Sequence, residues 1–453
     1  MRAKDVDMLS GPIAKGLLAI CIPVMIMNVL QSLFNIVDMT ILKNFDSDGM
    51  AVGAVGVCST LIALITNSLT GIATGVNVIV ARYIGKKDPE HTKRAVGTAI
   101  AFAIVSGLAL GIIGITFAEV FLGWINCPDE LLSRALLYFR LYFLGAPLLM
   151  IASFNSSVLR ACGNSRRVMT ISMSNGVVKV ISTYLFVAVF RMGILGVALA
   201  TLLSWGVSVG LGLATLLRTD GAVRLYWRSV RFYRPELPQI LRIGVPTGVQ
   251  MFLYSTANVI IVSAVNSFGP QAATGVSIAN NFDNILYQIC HATSLAVMPY
   301  VSQNIGAGNV KRATRCVLEG ILLTAGIGIV FGSLSAIFSS QLSSIMSDDP
   351  VVIDYSRQKM IIISSTYFIC GIMEILNAAL RAMGKPTFPT VTTLIFMCGL
   401  RFIWVYFVFP LQPNLTFLYL VWPIGWIASI ICALVVYFPT KQKLTAAHQP
   451  LSE

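Results

Sequence analysis

The first long apolar segment of the chain carries one carboxylate, Asp38, in the stretch LFNIVDMTIL. It is the only acidic or basic residue between Gly16 and Leu42, a run of 27 residues. Such a run is long enough to cross a bilayer, which needs about 20 predominantly apolar residues. Insertion scales put the cost of a carboxylate at the centre of a membrane helix at about 2.5–3.5 kcal/mol. A charge kept at that cost indicates a binding or proton-carrying site.

Polar side chains share one helix face with Asp38. Asn28, Gln31 and Asn35 precede it at spacings of three and four residues, which place all four side chains within an arc of about 80°. Two later segments repeat the pattern, with Thr247, Gln250, Tyr254 and Asn258 on the first and Asn280, Asp283, Asn284, Tyr287 and His291 on the second. These stripes line either a wet cavity or hydrogen-bonded seams between helices.

Three further charged residues, Lys179, Glu374 and Arg401, lie inside apolar segments. At a rise of about 1.5 Å per residue, all three lie near the middle of the membrane. We predict that Glu374 and Arg401 pair, either within a transport site or as a staple inside one half. By the same rise, Asp38 lies about 33 Å from the start of its segment. A direct contact with Lys179 therefore requires a tilted or bent helix.

The elements that position these residues are apolar segments of a membrane protein. Of the 453 residues, 56% are hydrophobic and 11% are charged, against about 25% charged in soluble domains. Twelve segments are separated by polar residues, at 16–42, 51–81, 95–118, 135–159, 168–190, 193–217, 243–267, 272–304, 316–338, 360–380, 387–410 and 416–438. The composition predicts an all-α polytopic protein with twelve transmembrane helices, and kinks at Pro23, Pro147, Pro246 and Pro299.

The basic residues indicate the orientation of the chain. In a soluble protein a net charge of +13 would suggest nucleic-acid binding, but here the basic residues lie in short loops. With the N-terminus placed inside, the cytoplasmic ends and loops hold 23 Lys and Arg residues and the opposite loops hold five. This asymmetry predicts two cytoplasmic termini in the plasma membrane and no nucleic-acid partner. Cys127 is then extracytoplasmic.

Residues of like type recur at a spacing of 221–223 positions in the two halves of the chain. The matching pairs include Pro23 with Pro246, Asn35 with Asn258, and Lys179 with Arg401. We therefore predict a duplication that places two six-helix lobes in the same orientation, as in secondary transporters built from parallel repeats. The predicted divisions are an N-terminal lobe (1–217), a basic cytoplasmic linker (218–239), a C-terminal lobe (240–438) and a cytoplasmic tail (439–453).

The linker and the missing motifs narrow the function. The Arg-rich linker either lies on the anionic inner leaflet or is a solvated loop. The sequence has no Walker A, GxSxG or HExxH motif and no clustered cysteines, so we expect neither enzyme activity, nor a cofactor, nor a metal centre other than a site for a coupling ion. A channel or receptor is disfavoured by the duplication and the buried charges.

Four stretches resemble the multidrug and toxic compound extrusion (MATE) family over nearly the whole chain. They are GPIAKGLLAICIPVMIMNVLQSLFNIVD at the first segment, LRACGNSRR after the fourth, VPTGVQ at the seventh and VSQNIGAGNVKRA after the eighth. The resemblance implies a V-shaped, two-lobed antiporter that exports organic cations and drugs against an inward flow of protons or sodium. The coupling aspartate of the family's first helix corresponds to Asp38.

The sequence departs from the family pattern near that aspartate. Lys179 stands where many relatives have an asparagine, and Ser182 or Thr183 stands where they have an aspartate. Tyr254 lies in the region of an acid found in sodium-coupled members. Because an ammonium group repels Na⁺ and a proton needs one carboxylate, we favour proton coupling over a sodium ion at Asp38. We expect a monomer, with a lipid-linked precursor flippase of the same superfamily as the alternative function.

Overall fold

The computed structural model describes residues 6–45, 50–125, 127–219, 221 and 223–447. Within these ranges the chain forms helices joined by short loops, and no strand occurs. The N-terminal half contains α1 (Ile13–Phe45), α2 (Met50–Gly85), α3 (Pro89–Thr116), α4 (Ala118–Trp124), α5 (Asp129–Leu144), α6 (Ala146–Ala161), α7 (Ser165–Thr183) and α8 (Gly193–Arg218). A π-helical turn, Tyr184–Val189, continues α7.

The C-terminal half repeats this order. Its helices are α9 (Leu237–Asn266), α10 (Pro270–Gly306), α11 (Val310–Ile337), α12 (Ser339–Ser344), α13 (Pro350–Ala382), α14 (Thr387–Thr392), α15 (Leu400–Ile403), α16 (Leu415–Tyr419) and α17 (Val421–Ala447). Two π-helical turns, Thr393–Gly399 and Trp404–Val408, flank α15. The last six residues of the predicted tail, 448–453, lie outside the described residues.

The predicted membrane segments correspond to these helices. Ten helices of the described chain are long and apolar enough to cross a membrane, and the bent pair α5 and α6 makes an eleventh. The bend is 46° and falls at the predicted Pro147, in the first turn of α6. The predicted eighth segment corresponds to α10, which has 37 residues and carries the polar stripe. The predicted all-α polytopic fold is confirmed.

Loop residues set where several helices begin. The side chain of Asp88 accepts a hydrogen bond from the backbone N–H of His91 at the start of α3, and Asn309 does the same for Arg312 at the start of α11. Such side chains satisfy N–H groups that lack a partner within the helix. These two caps are 221 positions apart, and the short helices α4 and α12 also begin 221 positions apart, at 118 and 339.

The contacts divide the chain into two compact units, and the division falls inside α1 and α9. One unit contains Val6 and Ile26–Gly244, and the other contains Asp7–Met25 and the described chain from Val245 onward. The first turns of α1 thus belong to the C-terminal unit, and the first two turns of α9 belong to the N-terminal unit. The boundaries predicted at 217 and 240 stay a prediction.

Specific contacts hold the exchanged segments in place. In the C-terminal unit, the Arg312 guanidinium donates hydrogen bonds to the carbonyl oxygens of Met8, Ser10 and Gly11. In the N-terminal unit, a Cβ atom on Gly75 of α2 would overlap the carbonyl oxygen of Ile240 in α9. Glycine is therefore needed where these two backbones meet.

The basic segment between α8 and α9 packs on α3. The hydroxyl of Thr98 accepts a hydrogen bond from the Tyr233 backbone N–H at 3.3 Å, and Gly97 lies directly against the Ser229 carbonyl. The Lys93 ammonium lies 4.6 Å from the centre of the Tyr226 ring. The described part of this segment is therefore attached to the N-terminal unit along its length.

Candidate functional site

Asp38 and Lys179 are in direct contact in the N-terminal unit, although the sequence alone places them at different depths along their helices. The Lys179 Nζ lies 2.8 Å from Asp38 Oδ2. The side chain of Lys179 is 21% exposed and that of Asp38 is 5% exposed. The Asn35 amide oxygen lies 3.4 Å from the same nitrogen. Neither oxygen of Asp38 accepts a well-aligned hydrogen bond from the described residues. The Lys179 ammonium thus balances the charge of the carboxylate, and the carboxylate oxygens can still accept hydrogen bonds. Ser182 and Thr183 are buried about one turn farther along α7.

A glycine in α7 allows α1 to come close to the ion pair. A Cβ atom on Gly176 would overlap the ring of Phe34. Phe34 is the residue before Asn35 in α1, and Gly176 lies one turn before Lys179 in α7. The π-helical turn that begins at Tyr184 follows directly. Irregular turns of this kind change the direction of side chains relative to a straight α-helix. Gly176 therefore sets the spacing of the two helices at the ion pair, whereas the π-helical turn redirects only side chains that follow Lys179.

The polar stripe of α1 lies opposite its exposed apolar side chains. Gln31 and Asn35 are exposed, and so are Leu33, Ile36 and Val37. At about 100° per residue, the two polar residues project roughly 160–200° away from Leu33. One helix face thus suits lipid and the other suits water or a polar ligand. This arrangement supports the predicted wet surface rather than a sealed hydrogen-bonded seam.

Helix α10 presents a polar surface in the C-terminal unit. Asn280 and Asn284 are exposed, and no large hydrophobic side chain is exposed anywhere in this fully described helix. Its neighbour α9 also exposes Asn258, with the exposed Val262 one turn farther along the same face. The predicted stripes on α9 and α10 therefore both include exposed amides.

Glu374 pairs with His291 and not with Arg401. His291 Nδ1 lies 3.4 Å from Glu374 Oε2, and the carboxylate side chain is 2% exposed. The Tyr287 ring stacks on the imidazole with their centres 5.3 Å apart. The predicted pair of Glu374 with Arg401 is wrong for the described residues. The predicted stripe did place Tyr287 and His291 on a common face.

Arg401 has a neutral partner. Its Nη1 donates a hydrogen bond of 2.7 Å to the Asn258 amide oxygen, and its Cζ lies 5.0 Å from the centre of the Trp422 ring. The residue is 2% exposed. The repeat predicted that Arg401 and Lys179 are equivalent, and each of them does contact an exposed asparagine on the first helix of its half.

Asp283 forms an ion pair with a residue that the sequence reading placed in a loop. Lys359 Nζ lies 2.9 Å from Asp283 Oδ2 and also donates a hydrogen bond to Asn280. Lys359 precedes the predicted segment 360–380 by one residue, but it lies inside α13 and is 3% exposed. Its ammonium lies 5.9 Å from the centre of the Trp422 ring.

Gln250 belongs to a separate buried network. Its amide oxygen accepts a 2.7 Å hydrogen bond from Arg381 Nη2, and its amide nitrogen donates one of 3.0 Å to the Thr393 hydroxyl. Arg381 follows the predicted segment 360–380 by one residue, yet it is buried in the last turn of α13. The Tyr254 hydroxyl points elsewhere and lies 3.9 Å from the Met373 sulfur.

The sequence reading missed Lys359, Arg381 and Trp422 as members of the polar clusters. The missed signal for Lys359 is the start of α13, where Asp349 caps the helix and Pro350 occupies its first turn. This pair is a known helix-start pattern, and it moves the beginning of the segment about ten residues before the apolar run. No comparable signal marks Arg381 or Trp422.

The fold and the site define a class of protein. A duplicated all-helical membrane protein that holds buried ion pairs behind polar helix faces has the organisation of a secondary transporter. A family model described as MatE matches the chain twice, at residues 23–185 and 246–407. The chain therefore belongs to the MATE family, as its motifs predicted. The two matches begin 223 positions apart, which confirms the predicted duplication.

Individual relatives extend over most of the chain. The probable multidrug resistance protein YpnP of Bacillus subtilis is 27% identical over 405 residues, covering 88% of this chain and 89% of that protein. An FAD transporter of Shewanella oneidensis is 24% identical over 397 residues, covering 85% and 86%. The solved outward-facing conformation of a multidrug resistance MATE family transporter superposes with a TM-score of 0.89 at 19% identity, covering 99% and 100% of the two chains.

Proposed function

We propose that the protein is a proton-coupled efflux antiporter in which Asp38 binds the coupling proton. The observation that carries this proposal is the buried ion pair of Asp38 with Lys179, on a helix whose polar face is exposed beside it. The two oxygens of Asp38 accept no hydrogen bond from described residues. A proton can therefore bind there and release the ammonium without breaking a wider hydrogen-bond network.

The charge change on protonation supplies a coupling mechanism. With Asp38 ionised, the pair has no net charge, and a cationic group can approach the exposed Gln31 and Asn35 beside it. With Asp38 protonated, the ammonium is left without its counter-ion and the site carries a net charge of +1. The unpaired ammonium then repels a cationic substrate, and the repulsion is stronger where the local dielectric constant is lower. Binding of the proton and of the substrate is thus mutually unfavourable, as antiport requires.

The same ion pair disfavours sodium as the coupling ion. A hard cation needs several oxygen ligands, and the position beside Asp38 Oδ2 is occupied by an ammonium. These features support a proton rather than Na⁺ at Asp38.

Amphipathic, drug-like molecules are the proposed substrates. The relatives named above are described as a multidrug resistance protein and as an FAD transporter, so the family handles more than one kind of molecule. A flippase for pyrophosphate-linked lipids would need a concentrated positive surface, and two of the buried cations, Lys179 and Lys359, are neutralised by acids. We further propose a monomer in the plasma membrane with both termini in the cytoplasm.

Reconstituted protein can test the coupling ion directly. Proteoliposomes loaded with the cationic dye rhodamine 123 receive either an inward proton gradient or an inward sodium gradient, and protein-free liposomes report passive leakage. We expect dye efflux above leakage with the proton gradient and none with sodium. Sustained efflux driven by sodium, while an uncoupler collapses the proton gradient, would contradict proton coupling.

A further inference from the structure

The duplication preserves one contact and loses another. In each half, a cationic side chain contacts an asparagine on the first helix of that half. The equivalent pairs are Lys179 with Asn35, at 3.4 Å, and Arg401 with Asn258, at 2.7 Å. The acid of the N-terminal half, Asp38, corresponds after a shift of 223 positions to Ile261, which is 3% exposed in the apolar core.

Arg401 consequently lacks a counter-ion. No carboxylate of the described chain lies within 4.0 Å of its guanidinium. The other acids of this cluster of helices have their own partners, since Asp283 pairs with Lys359 and Glu374 pairs with His291. The bond to Asn258 is its one hydrogen bond to described residues, which leaves four of the five guanidinium donors free. A buried charge without a counter-ion is costly. An external anion that reaches Arg401 would lower that cost.

A route to Arg401 leads past an exposed amide. Asn258 is exposed, and the exposed Val262 lies one turn farther along α9. The Trp422 ring lies 5.0 Å from the guanidinium on another side. A planar guanidinium matches the two oxygens of a carboxylate or phosphate. Rotation of the Asn258 amide away from Arg401 would free the Nη1 group to donate its hydrogen bond to the ligand instead.

We propose that Arg401 binds an anionic group of the transported molecule, so that the substrates are amphipathic zwitterions rather than simple organic cations. This inference rests on the function proposed above and adds the chemical class of the substrate. Hydrogen bonds to a charged group contribute about 1.5–3 kcal/mol, which corresponds to roughly 10- to 150-fold in affinity. The anionic group is a carboxylate or a phosphate, since the guanidinium fork accepts either.

Two rhodamine dyes that differ at one group provide the test. Rhodamine 123 is a methyl ester and a cation, whereas rhodamine 110 has the same ring system with a free carboxylate. Binding is measured by fluorescence anisotropy on protein in nanodiscs, without an ion gradient. We expect the wild-type protein to bind rhodamine 110 at least about 10-fold more tightly. Equal affinities for the two dyes would overturn the proposal without any variant.

Variants assign the preference to Arg401. Arg401→Gln should weaken binding of rhodamine 110 by about 10-fold or more and change rhodamine 123 by less than about twofold, and Arg401→Lys should restore part of the loss. Arg315→Gln is the matched control, because Arg315 is exposed and pairs with Glu319 along the same helix. An equal effect of Arg401→Gln on both dyes would contradict the proposal.

A second variant keeps the arginine and supplies the missing acid. Ile261→Asp places a carboxylate at the position equivalent to Asp38, three residues after Asn258, where it can pair with Arg401. We expect this variant to lose the preference for rhodamine 110. A folded Ile261→Asp protein that retains the full preference would overturn the assignment to Arg401.

Competition and transport measurements separate the remaining outcomes. Phenylphosphate and benzoate, added as competitors, distinguish a phosphate from a carboxylate as the preferred group, and displacement by neither would count against an anion site. Proteoliposomes that move neither dye would overturn the proposed function and this inference with it. Proton-driven transport of both dyes with equal binding would overturn this inference alone.

Discussion

Lys179 Nζ and Asp38 Oδ2 lie 2.8 Å apart, although the two residues come from different helices, α1 and α7. The carboxylate is therefore never a bare charge in the membrane while both groups are ionised. Loss of either charge leaves the other one buried or half-buried without compensation, which makes the pair sensitive to a single proton.

Asp38→Asn should abolish proton-driven dye efflux while the protein remains inserted and folded. The substitution keeps the volume of the side chain and removes the group that titrates. Efflux from proteoliposomes and the apparent Tm in detergent are measured together. The double variant Asp38→Asn with Lys179→Gln should also be inactive, but it should have a higher Tm than Asp38→Asn because no ammonium is left without an acid. Wild-type efflux by Asp38→Asn would contradict the role of Asp38.

Asp283 and Lys359 form the more deeply buried pair, with side chains that are 11% and 4% exposed. Asp283→Asn or Lys359→Gln alone should destabilise the protein by about 3–5 kcal/mol, since each leaves one buried charge unpaired. The double variant should recover most of that loss. Equilibrium unfolding in detergent measures the three changes, and additive losses in the double variant would show that the two residues do not interact.

Gly75 should tolerate no larger residue, because its Cβ position is occupied by the backbone of α9. Gly75→Ala should therefore destabilise the protein by about 1–3 kcal/mol, the usual cost of forcing extra atoms into a packed interior. Gly210→Ala in α8 is the control, since a Cβ atom there meets nothing within 4 Å. Similar Tm values for the two variants would argue against the close backbone contact.

The orientation can be tested at Cys127, in a protein that keeps this cysteine alone. Burial, together with the nearby Asp129 carboxylate, raises the pKa of the Cys127 thiol. A membrane-impermeant maleimide should label it in intact cells, and labelling should accelerate about tenfold from pH 7 to pH 8 because the thiolate is the reactive form.

A cysteine on the opposite side is the control for orientation. Ser229 is buried against α3 and would be shielded on either side, so the exposed Arg228 is the better position. Arg228→Cys, placed in a protein without other cysteines, should stay unlabelled until the membrane is opened. Prompt labelling of residue 228 in intact cells would reverse the proposed topology.

Much of the fold follows from the sequence because the membrane restricts the choice. All twelve predicted segments correspond to helices or helix pairs, since a chain in lipid must satisfy its backbone groups internally. The repeat spacing correctly placed Asn35 and Lys179 in the same relation as Asn258 and Arg401. The stripe spacing also placed Gln31 and Asn35 on the exposed polar face of α1.

The partners of the buried charges were harder to predict. Counting a constant rise gives the depth of Arg401 but not its direction, and π-helical turns precede and follow it. Extra residues in such turns rotate every later side chain, so the assumed approach to Glu374 was wrong. The hydropathy boundary at 360 likewise excluded Lys359, because a window that seeks apolar residues ends a helix at its charged ones.

The exchange of the first turns of α1 and α9 bears on how the protein is made. Cys21 and Met8 bond to Thr293 and Asn304, which follow them by 272 and 296 positions. At about 5–20 residues per second, the start of α1 waits roughly 15 to 60 s on the ribosome for these partners. The N-terminal unit likewise lacks residues 237–244 until the second half of the message is being read. A gene divided at the linker would encode two fragments, each of which carries a piece of the other's core.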